Sequence, residues 1–213
     1  MNPRPYRLGQ RQTAAEQTRA RIVAASRELL SSPDGVTAFT VDAVASQAGV
    51  ARMTVYNQFG SKTGLLEALF DDLAARGLID RLRAAFGQPE PRDALTELIG
   101  AFGNFWETDR LVIRRIRGLS LIDADISQTV RVREEYRREG FRTVVGRITE
   151  KHGKPLPEAV GEVVNVLHTL TSFETFDHLA GETRSPLAVV PLVCRLALAA
   201  LELEYGEFAA EVP

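Results

Sequence analysis

Apolar side chains recur every three or four residues along nearly the whole chain, which is the period of an amphipathic α-helix. Glycine, proline and capping residues interrupt this pattern at intervals. The predicted helices cover residues 14–30, 40–48, 51–59, 61–86, 93–106, 110–121, 124–151, 157–180 and 186–205. No stretch alternates with the period of a β-strand, so the sequence predicts an all-α fold of about nine helices.

Two proline-containing segments set the ends of this pattern. Residues 1–13 combine prolines with arginines and predict an irregular arm before the first helix. Ser185 and Pro186 predict the start of the last helix, since proline is tolerated at the first helical position. Pro191 lies within that helix, where it either introduces a kink or marks the true start.

Composition narrows the class of protein. The 213 residues are 45% hydrophobic and 25% charged, which is typical of a soluble globular protein. One cysteine excludes an intrachain disulfide. The apolar stretch 186–203 contains Arg195, Glu202 and two prolines, so we predict that it does not span a membrane. No secretory signal is evident at the N-terminus, and a cytoplasmic location is expected.

Charge is distributed unevenly. The first 62 residues carry eight basic and four acidic side chains, a net charge of +4, although the whole chain is −2. The remaining residues therefore carry −6. A basic N-terminal segment on an acidic body favours contact with an anionic partner through that segment.

Residues 40–60, TVDAVASQAGVARMTVYNQFG, contain the motif that carries the function. Two short apolar patterns are separated by a tight turn at Gly49, as a helix-turn-helix requires. The second helix is expected to turn Val55 and Phe59 inward and its polar side chains outward. Arg52 is suited to guanine and Thr54 to the thymine methyl group in the major groove.

Other polar side chains of the motif are suited to the DNA backbone. Tyr56 and Gln58 can bind phosphate oxygens, and Lys62 lies at the start of the next helix, where charge and backbone N–H groups together favour phosphate. The predicted DNA-binding residues are Thr40, Arg52, Thr54, Tyr56, Asn57, Gln58 and Lys62.

The motif resembles the TetR family of bacterial transcriptional regulators. The resemblance rests on the spacing of apolar residues in 40–66, the turn Gly49, Tyr56 and the pair Ser61-Lys62. It implies a homodimer with a DNA-binding head, here residues 1–62, and a helical effector-binding and dimerisation domain, here residues 63–213. Met53, Gln58 and Gly64 depart from the family pattern.

The resemblance also implies an effector pocket among the later helices. Phe102 and Trp106 lie one turn apart on one predicted helix, and His168, Ser172 and Phe173 could face them from another. These five residues are the predicted pocket. Aromatic side chains at helical spacing are also typical of a plain hydrophobic core, and this alternative stays open.

The last predicted helix is apolar nearly all round, so it must be covered on more than one side. A second subunit is the natural cover in a chain of this size. Close packing there would use small residues between larger apolar ones. The predicted interface residues are Val193, Leu196, Ala197, Ala200 and Leu201.

Two further groups have weaker predicted roles. Arg110, Arg114 and Arg117 share one helical face, where they could bind an anionic effector or pair with acidic side chains such as Asp71. Arg4, Arg7 and Arg11 could enter the minor groove or remain a solvated tail. These six residues lie outside the motif.

The sequence thus predicts a ligand-responsive DNA-binding regulator, most simply a repressor, with no catalytic residues, cofactor or metal site. Its predicted partners are double-stranded DNA with a palindromic operator, a second copy of itself and an unidentified small molecule, with no membrane. Alternatives are a helical adaptor protein and a helical enzyme, although the usual catalytic motifs are missing.

Overall fold

The computed structural model describes residues 4–35, 39–152 and 157–205, and these residues form α-helices without any β-strand. The all-α prediction is confirmed, with eleven helices in the described residues where about nine were expected. The helices are α1 Arg4–Ser31, α2 Val41–Gln47, α3 Arg52–Phe59, α4 Lys62–Ala75, α5 Leu78–Gly87, α6 Pro91–Thr108, α7 Arg110–Ser120, α8 Ala124–His152, α9 Pro157–Leu170, α10 Phe173–Ala180 and α11 Val190–Tyr205. A 3-10 turn, Pro186–Val189, precedes α11.

The chain divides into two compact units. Unit 1 comprises Met1–Asp72 and Leu111–Val130. In this unit α1 packs on α2 and α2 packs on α3. The interior of unit 1 is mainly aliphatic, as the predicted helical stripes require. Its fully buried side chains include Ile22, Leu30, Val44, Leu66, Leu69 and Ile126.

Unit 2 comprises Leu73–Arg110 and Arg131–Pro213. In this unit α5 packs on α6, α9 packs on α11, and the 3-10 turn packs against α6 and α10. Its interior mixes aliphatic and aromatic side chains. Those that are fully buried include Leu95, Leu98, Phe141, Val144, Leu167, Phe176 and Val193. The predicted boundary between residues 62 and 63 divides a DNA-binding head from an effector-binding domain. It is a division by function, which the packing units do not test, and it stays a prediction.

The first helix begins earlier than the sequence predicted. α1 starts at Arg4 instead of near Ala14, so the described backbone of residues 4–13 is helical rather than irregular. Pro5 is compatible with this start because the first turn of a helix needs no donor from that residue. The side chains of Arg4, Arg7 and Arg11 are not among those that the structure describes. The hypothesis that they enter the minor groove therefore stays untested.

Two stretches predicted as single helices are each divided in two. The stretch 61–86 breaks at Gly77, whose φ of 122° ends α4 and starts α5. The stretch 157–180 breaks before α10, where the Ser172 hydroxyl accepts a hydrogen bond from the backbone N–H of Thr175 at 3.1 Å. α11 begins at Val190, so Pro191 marks the start of that helix and introduces no kink.

Candidate nucleic-acid interface

The helix-turn-helix forms as predicted. Thr40 caps α2, with its hydroxyl accepting a hydrogen bond from the backbone N–H of Ala43 at 3.1 Å. Gly49 turns the chain with a φ of 63°, a backbone conformation that favours glycine. The backbone N–H of Val50 donates to the carbonyl of Ala45 at 3.0 Å, which closes the turn. The predicted cap, turn and helix pair are confirmed.

Two arginines of α1 fasten the ends of this motif. Arg21 Nε donates to the carbonyl of Ala48 after α2, at 3.1 Å. Arg19 Nη1 donates to the carbonyl of Gln58 near the end of α3, at 2.8 Å, and its Cζ lies 4.4 Å from the ring centroid of Phe59. Sequence reasoning counted both arginines only as charge. The unsatisfied carbonyls at helix C-termini, which attract cations, were the signal for this role.

The outward face of α3 carries side chains able to reach base edges. Val55 is 1% exposed and holds the inner face, whereas Arg52, Met53 and Asn57 are exposed. Thr54, Tyr56 and Gln58 lie half-buried on the two flanks of that face. The sequence identified Met53 only as a departure from the family pattern and not as a candidate DNA-binding residue, although it is exposed beside Arg52 and Asn57. Its position four residues before Asn57 and two before the buried Val55 was the available signal.

Arg52 is held by neighbours on two helices. Its Nη1 lies 2.9 Å from Asp42 Oδ2 on α2, and its Nη2 donates to the Tyr56 hydroxyl at 3.3 Å. Its Cζ lies 5.5 Å from the ring centroid of Tyr56. Both members of the ion pair are exposed, and exposed pairs are weak because water screens them. The guanidinium is therefore oriented yet available for exchange with a stronger acceptor.

Lys62 is already paired within unit 1. Its Nζ lies 2.5 Å from Asp123 Oδ2, and both side chains are half-buried. Asp123 Oδ1 also accepts hydrogen bonds from the backbone N–H groups of Asp125 and Ile126 at the start of α8. The hydrogen bond from Lys62, helped by those backbone donors, holds the pKa of Asp123 below its ordinary value against the effect of burial. The predicted phosphate contact of Lys62 stays a prediction and would have to compete with Asp123.

The first turn of α4 explains one departure from the family pattern. The predicted cap is confirmed, because the backbone N–H of Gly64 donates to the Ser61 hydroxyl at 3.0 Å. A Cβ atom at Gly64 would lie 2.1 Å from the carbonyl oxygen of Phe59. No side chain fits at that separation, so the close approach of α4 to the end of α3 requires glycine.

The predicted pocket residues lie in unit 2, and three of them meet. The Trp106 ring centroid lies 6.0 Å from that of Phe102 and 5.7 Å from that of Phe173, all three side chains being buried. The ring nitrogen of His168 contacts Glu134 instead, on α8. The Ser172 hydroxyl is used as the cap of α10. The structure therefore builds an aromatic cluster, while an effector cavity lined by all five residues stays a prediction.

The predicted interface residues separate into two groups on α11. Val193, Ala197 and Leu201 are 0% exposed within a single chain and are not available to a partner. Leu196 is 42% exposed and Ala200 is half-buried, so these two remain candidates. The exposed side instead carries an apolar stripe, here defined as Leu192, Leu196, Ala199 and Leu203. Its spacing of four, three and four residues is that of a helix–helix seam.

The segment that contains α11 is unusually apolar. Residues Pro186–Tyr205 are long and apolar enough by length and composition to cross a membrane; their most apolar 18-residue window has a mean hydropathy of 1.9, and 28% of that window is buried. Such a helix also occurs in the cores and subunit interfaces of soluble proteins. Within this segment Val193, Ala197 and Leu201 pack in the interior of the chain.

Two arginines of α7, Arg110 and Arg115, have structural partners. Arg110 Nε lies 2.6 Å from Asp177 Oδ1, and its Nη2 donates to the carbonyl of Gly181 at 2.6 Å. In unit 1, Arg115 donates to the carbonyls of Leu30 and Ser32 at the end of α1. For Arg110 the structure supports pairing with an acidic side chain. Among the described residues, no three His, Cys, Asp or Glu side chains are arranged to hold a metal ion.

Comparison with known proteins agrees with this architecture. Residues 22–69 match the family described as bacterial regulatory proteins, tetR family. The nucleoid occlusion factor SlmA of Cronobacter sakazakii is 28% identical over 155 residues, covering 64% of this chain and 77% of that protein.

Solved structures resemble the chain over most of its length. A TetR transcription regulator from Haloarcula marismortui aligns with a TM-score of 0.66 at 17% identity, covering 89% of this chain and 98% of that one. The transcriptional regulator FadR from Bacillus subtilis, solved with stearoyl-CoA, aligns with a TM-score of 0.65 at 16% identity, covering 85% and 98%. Residues 22–69 therefore match the tetR family of bacterial regulatory proteins, and the chain as a whole has the fold of TetR-family transcriptional regulators.

Proposed function

We propose that the protein is a homodimeric repressor in the bacterial cytoplasm that binds a palindromic operator through α3 and is released by a small molecule bound in unit 2. The observation that carries this proposal is the outward face of α3, which presents base-reading side chains from a motif fastened at both ends by α1. Rigid support of this kind is what sequence-specific binding requires, because contacts to base edges depend on position.

The chemistry of that face suits the major groove. Asn57 can bind adenine through two hydrogen bonds, Arg52 can bind guanine, and Met53 offers an apolar surface to a thymine methyl group. Thr54 can contact either a base edge or the backbone. Tyr56 and Gln58 lie on the flanks, where phosphate oxygens would lie.

The apolar stripe of α11 supports the dimer. Leu196 and Leu203 are 42% and 85% exposed, and solvation of that much leucine on one face is unfavourable. A second copy of α11, related by a two-fold axis, would cover the stripe with an identical one. The two copies of α3 in such a dimer would then meet successive major grooves about 34 Å apart.

Release by an effector follows from a population shift. A small molecule that binds better to the form with low DNA affinity moves the population towards that form, and the shift is limited by its differential affinity. We place this effector site at the aromatic cluster of unit 2, where Trp106 is the single tryptophan of the chain.

Selection of bound duplexes from random DNA tests the proposal. We expect an enriched palindrome whose half-sites lose affinity when Asn57→Ala is introduced. Leu196→Glu should give a monomer of about half the sedimenting mass and abolish palindrome binding, because it puts a charge into the seam.

Ile79→Glu is the matched control, since Ile79 on α5 is 48% exposed and lies outside the stripe. It should stay dimeric and bind DNA normally. A wild-type protein that enriches no sequence would contradict the proposal and favour the adaptor alternative, and turnover of a substrate without DNA would favour the enzyme.

A further inference from the structure

A buried arginine in unit 2 converges with two other polar side chains. Arg137 on α8 is 3% exposed at its side chain. Its Nη1 donates to the carbonyl of His168 at 2.6 Å and to the Thr171 hydroxyl at 2.7 Å. Its Nη2 donates to Glu134 Oε2, one turn earlier on α8. The guanidinium is thus held from α8 and from the end of α9.

The histidine reaches the same carboxylate oxygen. His168 Nε2 lies 3.0 Å from Glu134 Oε2 and 2.9 Å from Arg137 Nη2. His168 Nε2 also lies 3.2 Å from the backbone carbonyl oxygen of Glu134, so two acceptors favour the tautomer with the proton on Nε2 over the one in which Nε2 accepts from Arg137. In that tautomer His168 donates to the oxygen that already accepts from Arg137. Two donors therefore converge on one anionic oxygen, which is the geometry of an anion-binding site.

Arg137 and Glu134 differ in their freedom to move. Arg137 is buried and fixed by the His168 carbonyl and Thr171, so it cannot leave. The Glu134 side chain is 22% exposed, which places its carboxylate at the edge of the site. Glu134 can rotate towards water, where a carboxylate is well solvated, provided that another anion replaces it beside Arg137.

An apolar surface adjoins this position. Arg137 Cζ lies 5.8 Å from the ring centroid of Phe102, which stacks on Trp106. Trp106 in turn packs edge-on against Phe173. A ligand anchored at Arg137 would therefore present its charged end to the guanidinium and imidazole and its body to aromatic rings.

We propose that Arg137 and His168 are the anion-recognition site of unit 2 and that the effector is an organic carboxylate with an apolar body. When the effector is absent, the carboxylate of Glu134 occupies the position of the effector carboxylate. This inference rests on the proposed effector site and specifies its chemistry. The ligand carboxylate displaces that of Glu134 and accepts hydrogen bonds from Arg137 Nη2 and His168 Nε2, with no change in covalent bonds.

Thr171 connects this site to a spectroscopic reporter. Its hydroxyl accepts from Arg137, and its carbonyl accepts from Trp106 Nε1 at 3.0 Å. A change in the hydrogen bonds of Arg137 therefore acts on a residue that also fixes the indole. Emission of Trp106 should respond when the anion at Arg137 is exchanged.

The test compares matched carboxylates and amides, which have the same shape and differ in charge. Trp106 emission is followed at pH 7 while propionate, 4-phenylbutanoate or decanoate is added, each beside its neutral amide. For at least one pair we expect the carboxylate to bind ten times more tightly than the amide. Glu134→Ala should tighten that binding about tenfold further, because the internal competitor is gone.

Glu139→Ala is the matched control on α8, since Glu139 forms the same kind of pair with Arg142 one turn away but is 60% exposed. It should leave carboxylate binding unchanged. Arg137→Gln should remove the preference for charge, with circular dichroism as the check that the variant remains helical. If it unfolds, the contrast between Glu134→Ala, which tightens carboxylate binding, and Glu139→Ala, which leaves it unchanged, still tests the proposal.

Equal binding of acid and amide in every pair, no binding in any pair, or weaker carboxylate binding in Glu134→Ala would overturn the proposal. Its failure is distinguishable from that of the proposed function. Release of DNA by an uncharged molecule would leave the repressor proposal intact and remove the anion site. Tight carboxylate binding by a protein that selects no DNA sequence would leave the anion site intact and remove the repressor proposal.

Discussion

Two arginine–carboxylate pairs in this molecule have similar chemistry and opposite surroundings. In unit 1, Arg52 and Asp42 are 58% and 63% exposed at their side chains. In unit 2, Arg137 and Glu134 are 3% and 22% exposed. Water screens the first pair, so that it adds little to stability. In the second pair Arg137 is desolvated, so that it depends on the presence of a counter-anion.

This difference in exposure determines how easily each arginine can exchange its carboxylate partner. Arg52 can leave Asp42 for a guanine or a phosphate at little cost, since water already competes for both groups. Arg137 can lose Glu134 only to another anion, because a buried unpaired guanidinium is strongly unfavourable. An exposed pair thus suits a surface that binds DNA transiently, and a buried pair suits a site that demands a particular ligand.

The largest effect is expected from removing the buried arginine. Arg137→Ala should lower the free energy of unfolding by about 3–5 kcal/mol, since it leaves partners of a buried ion pair without a counter-charge. Urea unfolding followed by Trp106 emission measures it. Arg142→Ala is the control and should change stability by no more than about 0.5 kcal/mol, since Arg142 is 52% exposed. Equal effects at the two positions would remove the contrast.

A smaller effect is expected from removing the exposed arginine, and on a different property. Arg52→Ala should weaken binding to the preferred operator by about tenfold to a hundredfold, as loss of a good base contact does, and should leave unfolding unchanged. Band-shift titrations with operator and random duplexes provide the measurement. An equal loss on both duplexes would assign Arg52 to the DNA backbone and not to a base.

A third variant tests the intermediate case, the half-buried pair of Lys62 and Asp123. Asp123→Asn keeps an oxygen to cap α8 but removes the charge that holds Lys62. We expect DNA binding to strengthen and the slope of log affinity against log salt to become steeper by about one, as one more phosphate contact requires. An unchanged slope would show that Lys62 makes no phosphate contact.

The same pair predicts a dependence on pH. The pKa of Asp123 is lowered from 3.8, so the pair stabilises the folded state above about pH 4 and this contribution is lost as the pH falls through the lowered value. Asp123→Asn should therefore be less sensitive than wild type to acid below pH 4. Thermal unfolding between pH 2.5 and 5 measures the difference.

The smallest effect is expected from Asp42→Asn. It removes the screened partner of Arg52, so stability should not change measurably, and operator affinity should rise by less than about threefold because one repulsion of phosphate is removed. Titration of operator at two salt concentrations checks this. A tenfold loss of affinity would show that Asp42 positions Arg52 for its base.

Local signals in the sequence predicted the helices well and their breaks less well. Thr40 and Ser61 were recognised as caps because their effect extends only three residues. The breaks at Gly77 and Ser172 were missed because the apolar period continues across them, so that one stripe looks like one helix. A serine or glycine inside such a stripe ends a helix only when packing on either side requires it.

For the candidate site, the sequence predicted which side chains face outward but not which residues they contact. The outward face of α3 follows from helical period. The pairing of Lys62 with Asp123 joins residues 61 positions apart, and the contact of Arg137 with Thr171 joins residues 34 apart. Period and spacing carry no information about such contacts, which depend on how helices pack. Without them, Lys62 looked like a free phosphate ligand and Arg137 was not recognised as a candidate.

Gly103, within α6, is a position where one substitution should make the protein temperature-sensitive. A Cβ atom there would lie 2.4 Å from Val190 Cγ2 and 3.1 Å from Phe176 Cε1, at the point where α6 meets the start of α11. Valine is stiff, so an added methyl group would overpack this contact by about 1–3 kcal/mol, against which alanine returns up to about 1 kcal/mol of helix propensity. Gly103→Ala is therefore suited to serve as a temperature-sensitive allele, which would let regulated genes be identified in growing cells by a shift in temperature alone.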